Sequence, residues 1–310
     1  MDDHRLLIIT PVRNEAAHIE KVAAGLARQS RRPERWLVVD DGSDDATPAL
    51  LRGLSAELDF MRVVSTPPDF TVKAADRLAR AAAPRAFNYG LGTLGPERDG
   101  FTHLGKLDGD VELCPNYYEQ ILAEFDRNPR LGIAGGSILE EHGGDWRPTA
   151  SAAEHVRGAL KLYSHECFEA IGGVREVLAW DAVDEVIARM KGFETRCFPA
   201  AEALHHRHTG SADGRLRGHV RWGRGHWIAR HGPLWTLARS AKVATLPPRG
   251  VSGLAYLYGY SSAAVRRVPR VDVDGYRAFV RAEHRRRILA RMRVERTKEA
   301  RTAGRSSYTG

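Results

Sequence analysis

The sequence predicts an α/β fold in which a mixed, mostly parallel sheet is flanked by helices. Short apolar runs alternate with stretches of helical periodicity over the first third of the chain, which is the pattern of parallel βαβ units. Polar or acidic clusters follow three of these runs, and ligands bind at the carboxyl ends of the strands in such sheets. Because the composition changes after residue 208, we predict a first domain over 1–208 and a mainly helical region over 209–310.

The periodicity of apolar residues predicts the individual elements. The predicted strands are 6–10, 36–39, 61–64, 101–107, 131–136 and 195–198. The predicted helices are 16–28, 47–58, 74–91, 117–125, 276–298 and one that starts at 180 and stops at Gly192. The last ten residues are small and polar, and we expect them to be disordered.

The composition is typical of a soluble globular protein. Of 310 residues, 43% are hydrophobic and 28% are charged, and no apolar run approaches the roughly 18 residues that a membrane span needs. Cys114, Cys167 and Cys197 show neither disulfide nor zinc spacing, which favours a reducing compartment. We therefore expect a cytoplasmic protein, either free or peripheral on the cytosolic face of a membrane.

Positive charge is concentrated toward the C-terminus. The formal net charge is +8, and arginine is frequent from Arg207 onward, together with Trp222, Trp227 and Trp235. This asymmetry indicates an anionic partner, which is a phospholipid surface, a phosphate-bearing substrate or nucleic acid. Aromatic rings and arginines favour the headgroup zone of a membrane, although tryptophans at such intervals are as often core residues.

A candidate metal site lies at the end of the fourth predicted strand. Asp108 and Asp110 flank Gly109 where an apolar run stops. Residues i and i+2 of an extended chain point the same way, so the two carboxylates would repel unless a cation lay between them. Oxygen ligands suit Mg²⁺ or Mn²⁺, usually together with substrate phosphates. Taken alone, Asp-Gly-Asp is more often a simple turn.

Three successive motifs resemble the opening of a family 2 glycosyltransferase. They are Thr10-Pro-Val-Arg-Asn-Glu15, Val38-Val-Asp-Asp-Gly-Ser-Asp-Asp-Ala-Thr47 and Lys106-Leu-Asp-Gly-Asp110, and the resemblance covers roughly residues 5–206. It implies the Rossmann-like nucleotide-diphospho-sugar transferase fold called GT-A over 1–208. It also implies a hexosyltransferase-type reaction, in which a divalent cation assists sugar transfer from a nucleotide-sugar donor to a hydroxyl acceptor with inversion at the anomeric carbon.

The resemblance also implies roles for individual residues. Asp110 would hold the metal together with Asp108, while Asp108 and Gly109 would meet the ribose or the sugar. The match at Arg85 and Asn88 is looser, because Ala83-Pro84-Arg85 departs from the usual family pattern. The nucleotide-binding residues that it implies are Thr10, Pro11, Arg13, Glu15, Asp41, Arg85 and Asn88.

The catalytic base that the family uses has three candidates, since the usual Glu-Asp pair is absent here. Asp181, Asp184 and Glu185 are spaced i, i+3 and i+4, so they share one face at the start of a predicted helix. Asp181 matches by its distance from Gly192, and Asp184 matches as part of an Asp-Glu doublet. The alternative is capping, with Asp181 as the N-cap residue. Clustering is expected to raise the pKa values of these carboxylates, as a general base requires.

Two histidines follow the last predicted strand of the first domain. Either His205 or His206 is placed to complete the metal coordination, as happens in relatives with this fold. The sequence does not show which of the two histidines would bind the metal. The alternative is a polar cluster, or a contact with the acceptor.

Two other functions compete with glycosyl transfer. A nucleotidyltransferase on a related fold predicts a glycine-rich, lysine-bearing loop after the first strand, where this chain has Pro11-Val-Arg-Asn-Glu15. A nucleic-acid-binding protein would use the basic tail, but the chain has no single-strand stacking pattern, so this function ranks last. The layout from Gly210 to Tyr260 resembles bacterial enzymes of cell-surface polysaccharide pathways, which favours a lipid-linked acceptor or a polysaccharide precursor.

Overall fold

The computed structural model describes residues 4–71, 77, 80–149, 152–207 and 214–287. The chain divides into two compact units, Met1–Gly218 and His219–Gly310. Over the described ranges, nine strands of the first unit join into one sheet that helices flank. The predicted α/β fold with a mixed, mostly parallel sheet is therefore confirmed. The domain boundary predicted at residue 208 stays a prediction, because residues 208–213 lie outside the described ranges.

The sheet begins as a parallel βαβ array and continues with strands of both directions. Its strands are β1 (Leu6–Val12), β2 (Arg35–Asp40), β3 (Met61–Ser65), β4 (His103–Leu107), β5 (Val111–Leu113), β6 (Leu131–His142), β7 (Asp145–Pro148), β8 (Leu160–Ser164) and β9 (Glu194–His205). They lie in the order β3-β2-β1-β4-β8-β6-β9-β5, with β7 paired to β6. β1 to β4 are parallel, β8 is antiparallel to β4 and β6, and β9 is parallel to β6.

Helices of the first unit pack their apolar sides inward. They are α1 (Ile19–Ala27), α2 (Thr47–Glu57), α3 (Ala82–Thr93), α4 (Tyr117–Arg127), α5 (His165–Ile171) and α6 (Trp180–Met190). α1, for example, buries Ile19, Val22 and Leu26, which recur at helical spacing. All five residues of β4 are buried, including the polar His103 and Lys106, as expected for a strand that is covered on both faces.

The structure differs from the predicted elements mainly after β4. The strand predicted at 131–136 continues to His142 and turns back into β7 through two glycines with positive φ, Gly143 and Gly144. β5 and β7 were not predicted, because strands of three and four residues are too short to show a period. The helix predicted at 74–91 begins at Ala82 as far as it is described, and 276–287 are helical within the predicted 276–298. The last ten residues lie outside the described ranges.

The second unit is mainly helical over its described residues. It contains most of α7 (Arg215–Ile228), α8 (Pro233–Val243), α9 (Val251–Val265) and the helical stretch 276–287. α7 and α9 meet backbone to backbone, since a Cβ on Gly223 would lie 1.9 Å from the carbonyl oxygen of Tyr256. A Cβ on Gly259 would lie 2.0 Å from the carbonyl oxygen of Val220. In the described part of the chain, no helix has the length and apolarity needed to cross a bilayer.

Candidate active site

The three sequence motifs meet at one edge of the sheet. β1 pairs in parallel with both β2 and β4, and the register sets Val12 opposite Asp40 and Ile9 opposite Lys106. The carboxyl ends of the three strands therefore lie side by side, which is where ligands bind in such sheets. This is the arrangement that the sequence predicts.

Two buried aspartates follow one another at the end of β2. The Asp40 carboxylate accepts a hydrogen bond from the backbone N–H of Ser43 at 2.9 Å, which closes the turn after the strand. The Asp41 carboxylate accepts one from Thr66 Oγ1 at 3.1 Å and pairs with the guanidinium of Arg77. Asp40 thus shapes the turn, whereas Asp41 forms an ion pair at the edge of the sheet.

Four charged side chains gather beside the end of β4, and we call Glu15, Asp110, His205 and Arg207 the charged corner. His205 Nε2 lies 3.5 Å from Asp110 Oδ1. Arg207 Nη2 donates to Glu15 Oε2 at 2.7 Å, and its Nε lies 3.7 Å from Asp110 Oδ2. His205 reaches this place because β9 pairs with β5, which sets it opposite Val111.

Burial and charge set the protonation of the charged corner. Burial raises the pKa of Glu15 to about 7, with Asp110 acting in the same direction and Arg207 opposing. Burial also acts to raise the pKa of Asp110, but His205 and Arg207 outweigh it and hold that pKa below its usual value. Burial lowers the pKa of His205, but the Asp110 carboxylate outweighs it, so the net shift is upward. Asp110 is therefore ionised at neutral pH, as a metal ligand must be.

Asp110 and His205 fit a divalent cation as two protein ligands. His205 directs Nε2 toward Asp110, and its buried Nδ1 has no hydrogen-bond partner among the described residues, with Glu140 Oε1 at 3.7 Å. No cluster of three His, Cys, Asp or Glu side chains among the described residues could hold an ion alone. Two protein ligands, with substrate phosphates and waters in the other positions, are usual for Mg²⁺.

His206 is engaged elsewhere. Its Nε2 lies 2.9 Å from Glu112 Oε2, and its ring stacks on that of His18 with 5.9 Å between the centroids. Arg28 binds the other oxygen of Glu112 at 2.7 Å. The structure thus separates two histidines that are equivalent in the sequence, because only the His205 side chain lies beside the Asp110 carboxylate, whereas His206 contacts Asp110 through its backbone N–H alone.

A pair of buried lysines connects the Asp108 turn to the start of α6. Lys106 of β4 and Lys161 of β8 stand directly opposite each other in the antiparallel register. Lys106 pairs with the carboxylate of Asp108. Each lysine Nζ lies 5.5 Å from the ring centroid of Trp180, the first residue of α6, within the range of cation–π attraction.

Lys161 continues this connection into the first turn of α6. Its Nζ donates to the carbonyl oxygen of Asp181 and to Asp184 Oδ1, the latter at 2.7 Å, and lies 3.2 Å from Glu185 Oε1. The hydroxyl of Tyr163 donates to the second carboxylate oxygen of Asp184. A fully buried ammonium group is thus neutralised by two buried carboxylates, as buried charges require.

Asp184 and Glu185 are therefore structural partners of Lys161. Burial raises the pKa of Asp184 to about 6, although Lys161 opposes it. Burial acts on Glu185 in the same direction, but Lys161 and His155 outweigh it and lower the pKa. Glu185 also accepts the backbone N–H of Val156 at 2.7 Å. The pKa of Asp184 is thus raised mainly by burial and not by clustering, which was the expected cause, and the pKa of Glu185 is not raised.

Asp181 differs from the other two acids in its surroundings. Its side chain is half-buried, and none of the described residues donates a hydrogen bond to its carboxylate. The alternative role of Asp181 as the N-cap residue is wrong, since α6 starts after Ala179, which has a φ of +64°. Lys161 binds the Asp181 carbonyl oxygen instead and so holds the first turn. The negative side chain there complements the helix dipole.

Gly109 and four residues of the first motif lie around the same strand ends. A Cβ on Gly109 would meet Val12 Cγ1 at 2.8 Å and Glu15 Cγ at 3.1 Å, so the turn needs glycine. Pro11 and Arg13 are partly exposed at the end of β1, and Arg13 Nη1 is 3.4 Å from the carbonyl oxygen of Asp41. The structure brings these residues together.

Thr10, Arg85 and Asn88 have other surroundings. Thr10 is fully buried, and its hydroxyl accepts a hydrogen bond from Trp36 Nε1 at 2.9 Å, so it supports the strand. Asn88 donates to Glu176 Oε1 at 3.2 Å, and Arg85 Nε lies 3.7 Å from Glu176 Oε2. These two residues of α3 share a partner and form a separate polar group.

Lys106 and Lys161 could have been recognised as functional or structural residues from the sequence. Lys106 and Lys161 each stand inside an otherwise apolar run, and a charged residue buried in a strand must have a buried partner. Arg207 carries no comparable signal, because its partner Glu15 is 192 positions away in the sequence.

Replacement of Lys161 by methionine should lower the free energy of unfolding by about 3–5 kcal/mol, because it leaves two buried carboxylates without their cation. Urea unfolding measures this loss. Lys191→Met is the matched control, since Lys191 follows α6 and is exposed, and it should change stability by less than about 0.5 kcal/mol. Equal stability of the two variants would contradict the structural role of Lys161.

Residues 7–175 match the family described as Glycosyl transferase family 2, and this segment is more than half of the chain. The chain belongs to family 2 of the glycosyltransferases. The matched segment contains all three motifs and ends before α6, so it covers neither the acids of α6 nor His205. None of the curated proteins matches the sequence.

Solved structures of glycosyltransferases share the fold of this family member. One is the mannosyltransferase PcManGT from Pyrobaculum calidifontis in complex with GDP-Man and Mn²⁺, with 16% identity, a TM-score of 0.53, and coverage of 89% of this chain and 83% of that one. Another is S. aureus TarS 1–349 in complex with UDP, with 14% identity, a TM-score of 0.52, and coverage of 87% and 95%. The predicted GT-A fold and glycosyltransferase class are confirmed.

Proposed function

We propose that this glycosyltransferase is inverting and metal-dependent and uses a nucleotide-diphospho-sugar donor. The observation that carries the proposal is the convergence of Asp110 and His205 at the end of β4, beside the Asp108 turn. The structural relatives support it, since one holds GDP-Man with Mn²⁺ and the other holds UDP.

On this proposal, Asp110 and His205 hold Mn²⁺ or Mg²⁺, and Asp108 faces the donor. The bound cation would supply Lewis-acid stabilisation of the leaving diphosphate. Lys106 pairs with the Asp108 carboxylate and fixes its orientation. Asp41 lies at the neighbouring strand end, where it would meet the nucleotide base.

We assign the role of general base to Asp181. The acceptor oxygen bonds to the anomeric carbon from the side opposite the diphosphate, and the bond to the diphosphate breaks with its electron pair leaving on the diphosphate. The proton of the acceptor hydroxyl passes to the Asp181 carboxylate. A single displacement inverts the anomeric centre. Trp180, which stands over both lysines, supports this role by holding the first turn of α6 near the Asp108 turn.

We infer that the acceptor is a hydroxyl of a lipid-linked or polysaccharide precursor. The arginine-rich second unit supports this inference, because it offers positive charge to a phosphate-bearing acceptor or an anionic surface. The protein would then act as a peripheral protein on the cytosolic face of a membrane.

Replacement of His205 by alanine should weaken Mn²⁺ binding by about ten- to a hundredfold, because it removes one of two protein ligands. His206→Ala is the matched control, since His206 is the next residue but contacts Glu112, and it should leave Mn²⁺ affinity within about twofold. A titration with Mn²⁺, monitored by calorimetry or electron paramagnetic resonance, measures the Mn²⁺ affinity of both variants. A larger loss in the His206 variant would exclude His205 as the ligand.

The proposed function is tested with a panel of UDP-, GDP- and dTDP-sugars, with and without Mn²⁺ or Mg²⁺. We expect one donor to be hydrolysed slowly in the presence of metal and transferred when an acceptor is added. Chelation with EDTA should abolish both reactions. Metal-independent turnover would reject the cation role, and synthesis of a nucleotide-sugar from a nucleoside triphosphate would favour a nucleotidyltransferase.

A further inference from the structure

A surface of the second unit takes no part in the proposed transfer chemistry. The outer side of α9 exposes Val251, Leu254, Tyr258 and Val265, which follow one another at steps of three, four and seven residues and so form one helical stripe. The exposed fractions of Leu254 and Val265 are 67% and 83%. We call these four residues the α9 stripe.

The α9 stripe faces away from the core of its own unit. The opposite side of the helix is buried through Ser252, Tyr256, Gly259 and Ala263. No charged residue occurs between Val251 and Val265. α8 packs against α9 and exposes Leu234 at 83% and Leu237 at 55%, and we call these two leucines together with the α9 stripe the α8–α9 surface. Water-facing helix sides are ordinarily polar, so clustered apolar exposure of this kind marks a docking surface.

Positive charge surrounds this apolar surface. From 219 to 271 the sequence contains no Asp or Glu. The same segment contains nine basic residues, which are Arg221, Arg224, Arg230, Arg239, Lys242, Arg249, Arg266, Arg267 and Arg270. Arg249 stands two residues before α9 and Arg266 and Arg267 directly follow it, and all three are exposed. An apolar stripe therefore lies between exposed cations at both ends of the helix.

We propose that the α8–α9 surface docks on a bilayer that contains anionic phospholipid. The α9 stripe enters the boundary between headgroups and acyl chains, and Arg249, Arg266 and Arg267 bind lipid phosphates. A second copy of the chain fits less well, because two acid-free basic surfaces would face each other. Nucleic acid would match the arginines but gives no role to exposed leucines.

This docking rests on and deepens the peripheral membrane association proposed above, and it does not depend on the chemistry of sugar transfer. Vesicle binding requires neither donor nor metal, so it can fail while transfer succeeds, and the reverse also holds. If the acceptor is lipid-linked, docking would bring the enzyme to the surface that contains its acceptor.

The test is co-sedimentation of the full chain with vesicles of phosphatidylcholine alone and of phosphatidylcholine mixed with phosphatidylglycerol. We expect binding to the mixed vesicles only, and weaker binding as salt is added. The double variant Leu254→Glu/Tyr258→Glu should lose at least about tenfold in affinity, because two charges replace two inserted side chains. The double variant Arg266→Glu/Arg267→Glu should lose a similar factor, and circular dichroism confirms that each variant is folded.

Control variants introduce the same kinds of charge change elsewhere. Leu216→Glu changes an exposed leucine outside the α8–α9 surface, and Lys21→Glu/Arg52→Glu reverses two exposed charges of the first unit. Both should bind within about twofold of the unaltered protein. Absence of binding to mixed vesicles, or equal losses in variants and controls, overturns the proposal. A dimer in solution that the stripe variant disperses, without vesicle binding, also overturns it and assigns the surface to a second copy.

Discussion

Asp110→Asn should reduce sugar transfer by at least about a thousandfold, which makes it the most damaging single change that we predict. The carboxylate lies beside His205 and Arg207, and both lower its pKa, so it carries a full negative charge at neutral pH. Asparagine keeps the shape and loses the charge, so on the proposed function a divalent cation would be held by His205 and the donor alone. Single-turnover transfer at saturating donor, measured over a range of Mn²⁺ concentrations, gives the size of the loss.

Glu112→Gln is the control for that change. Glu112 belongs to β5, two residues beyond Asp110, but its oxygens bind His206 and Arg28. This variant should retain transfer within about twofold, and excess Mn²⁺ should rescue Asp110→Asn in part. If Asp110→Asn transfers sugar normally, the cation does not reside in the charged corner.

The part of the site that sequence can predict is the part built from local signals. β1, β2 and β4 are short and mostly apolar, and a polar motif begins at or near the end of each one, so the sequence indicates the strand end and the motif together. Parallel pairing then brings Glu15, Asp41 and Asp110 to one edge without any knowledge of side-chain geometry. The α/β fold and the convergence of the motifs follow from these features.

The remainder depends on contacts between distant segments. The difference between His205 and His206 comes from the pairing of β9 with β5, a three-residue strand with no readable period. The difference between Asp181 and Asp184 of α6 comes from Lys161, which lies on β8 and precedes them by 20 and 23 residues in the sequence. An i, i+3, i+4 pattern predicts a shared helix face but not which acid that face buries. A lysine within an apolar strand is the signal that points to a buried partner.

Asp181→Asn should reduce the rate constant of transfer by about 10²–10⁴, the usual contribution of a general base. Donor affinity, Mn²⁺ affinity and thermal stability should stay close to those of the unaltered enzyme, because none of the described residues donates to the Asp181 carboxylate. The backbone carbonyl that Lys161 binds is unchanged by this substitution. Rapid-quench transfer, donor binding and thermal melting, measured on the same preparation, separate these quantities.

Asp184→Asn should give the opposite pattern. Asp184 is buried against Lys161 and Tyr163, so an amide leaves the ammonium with less negative charge and lowers the free energy of unfolding by about 1–3 kcal/mol. Transfer per folded molecule should fall much less than in Asp181→Asn. If Asp184→Asn abolishes transfer at full stability while Asp181→Asn remains active, the base is Asp184, and Lys161 then controls the protonation of the base directly.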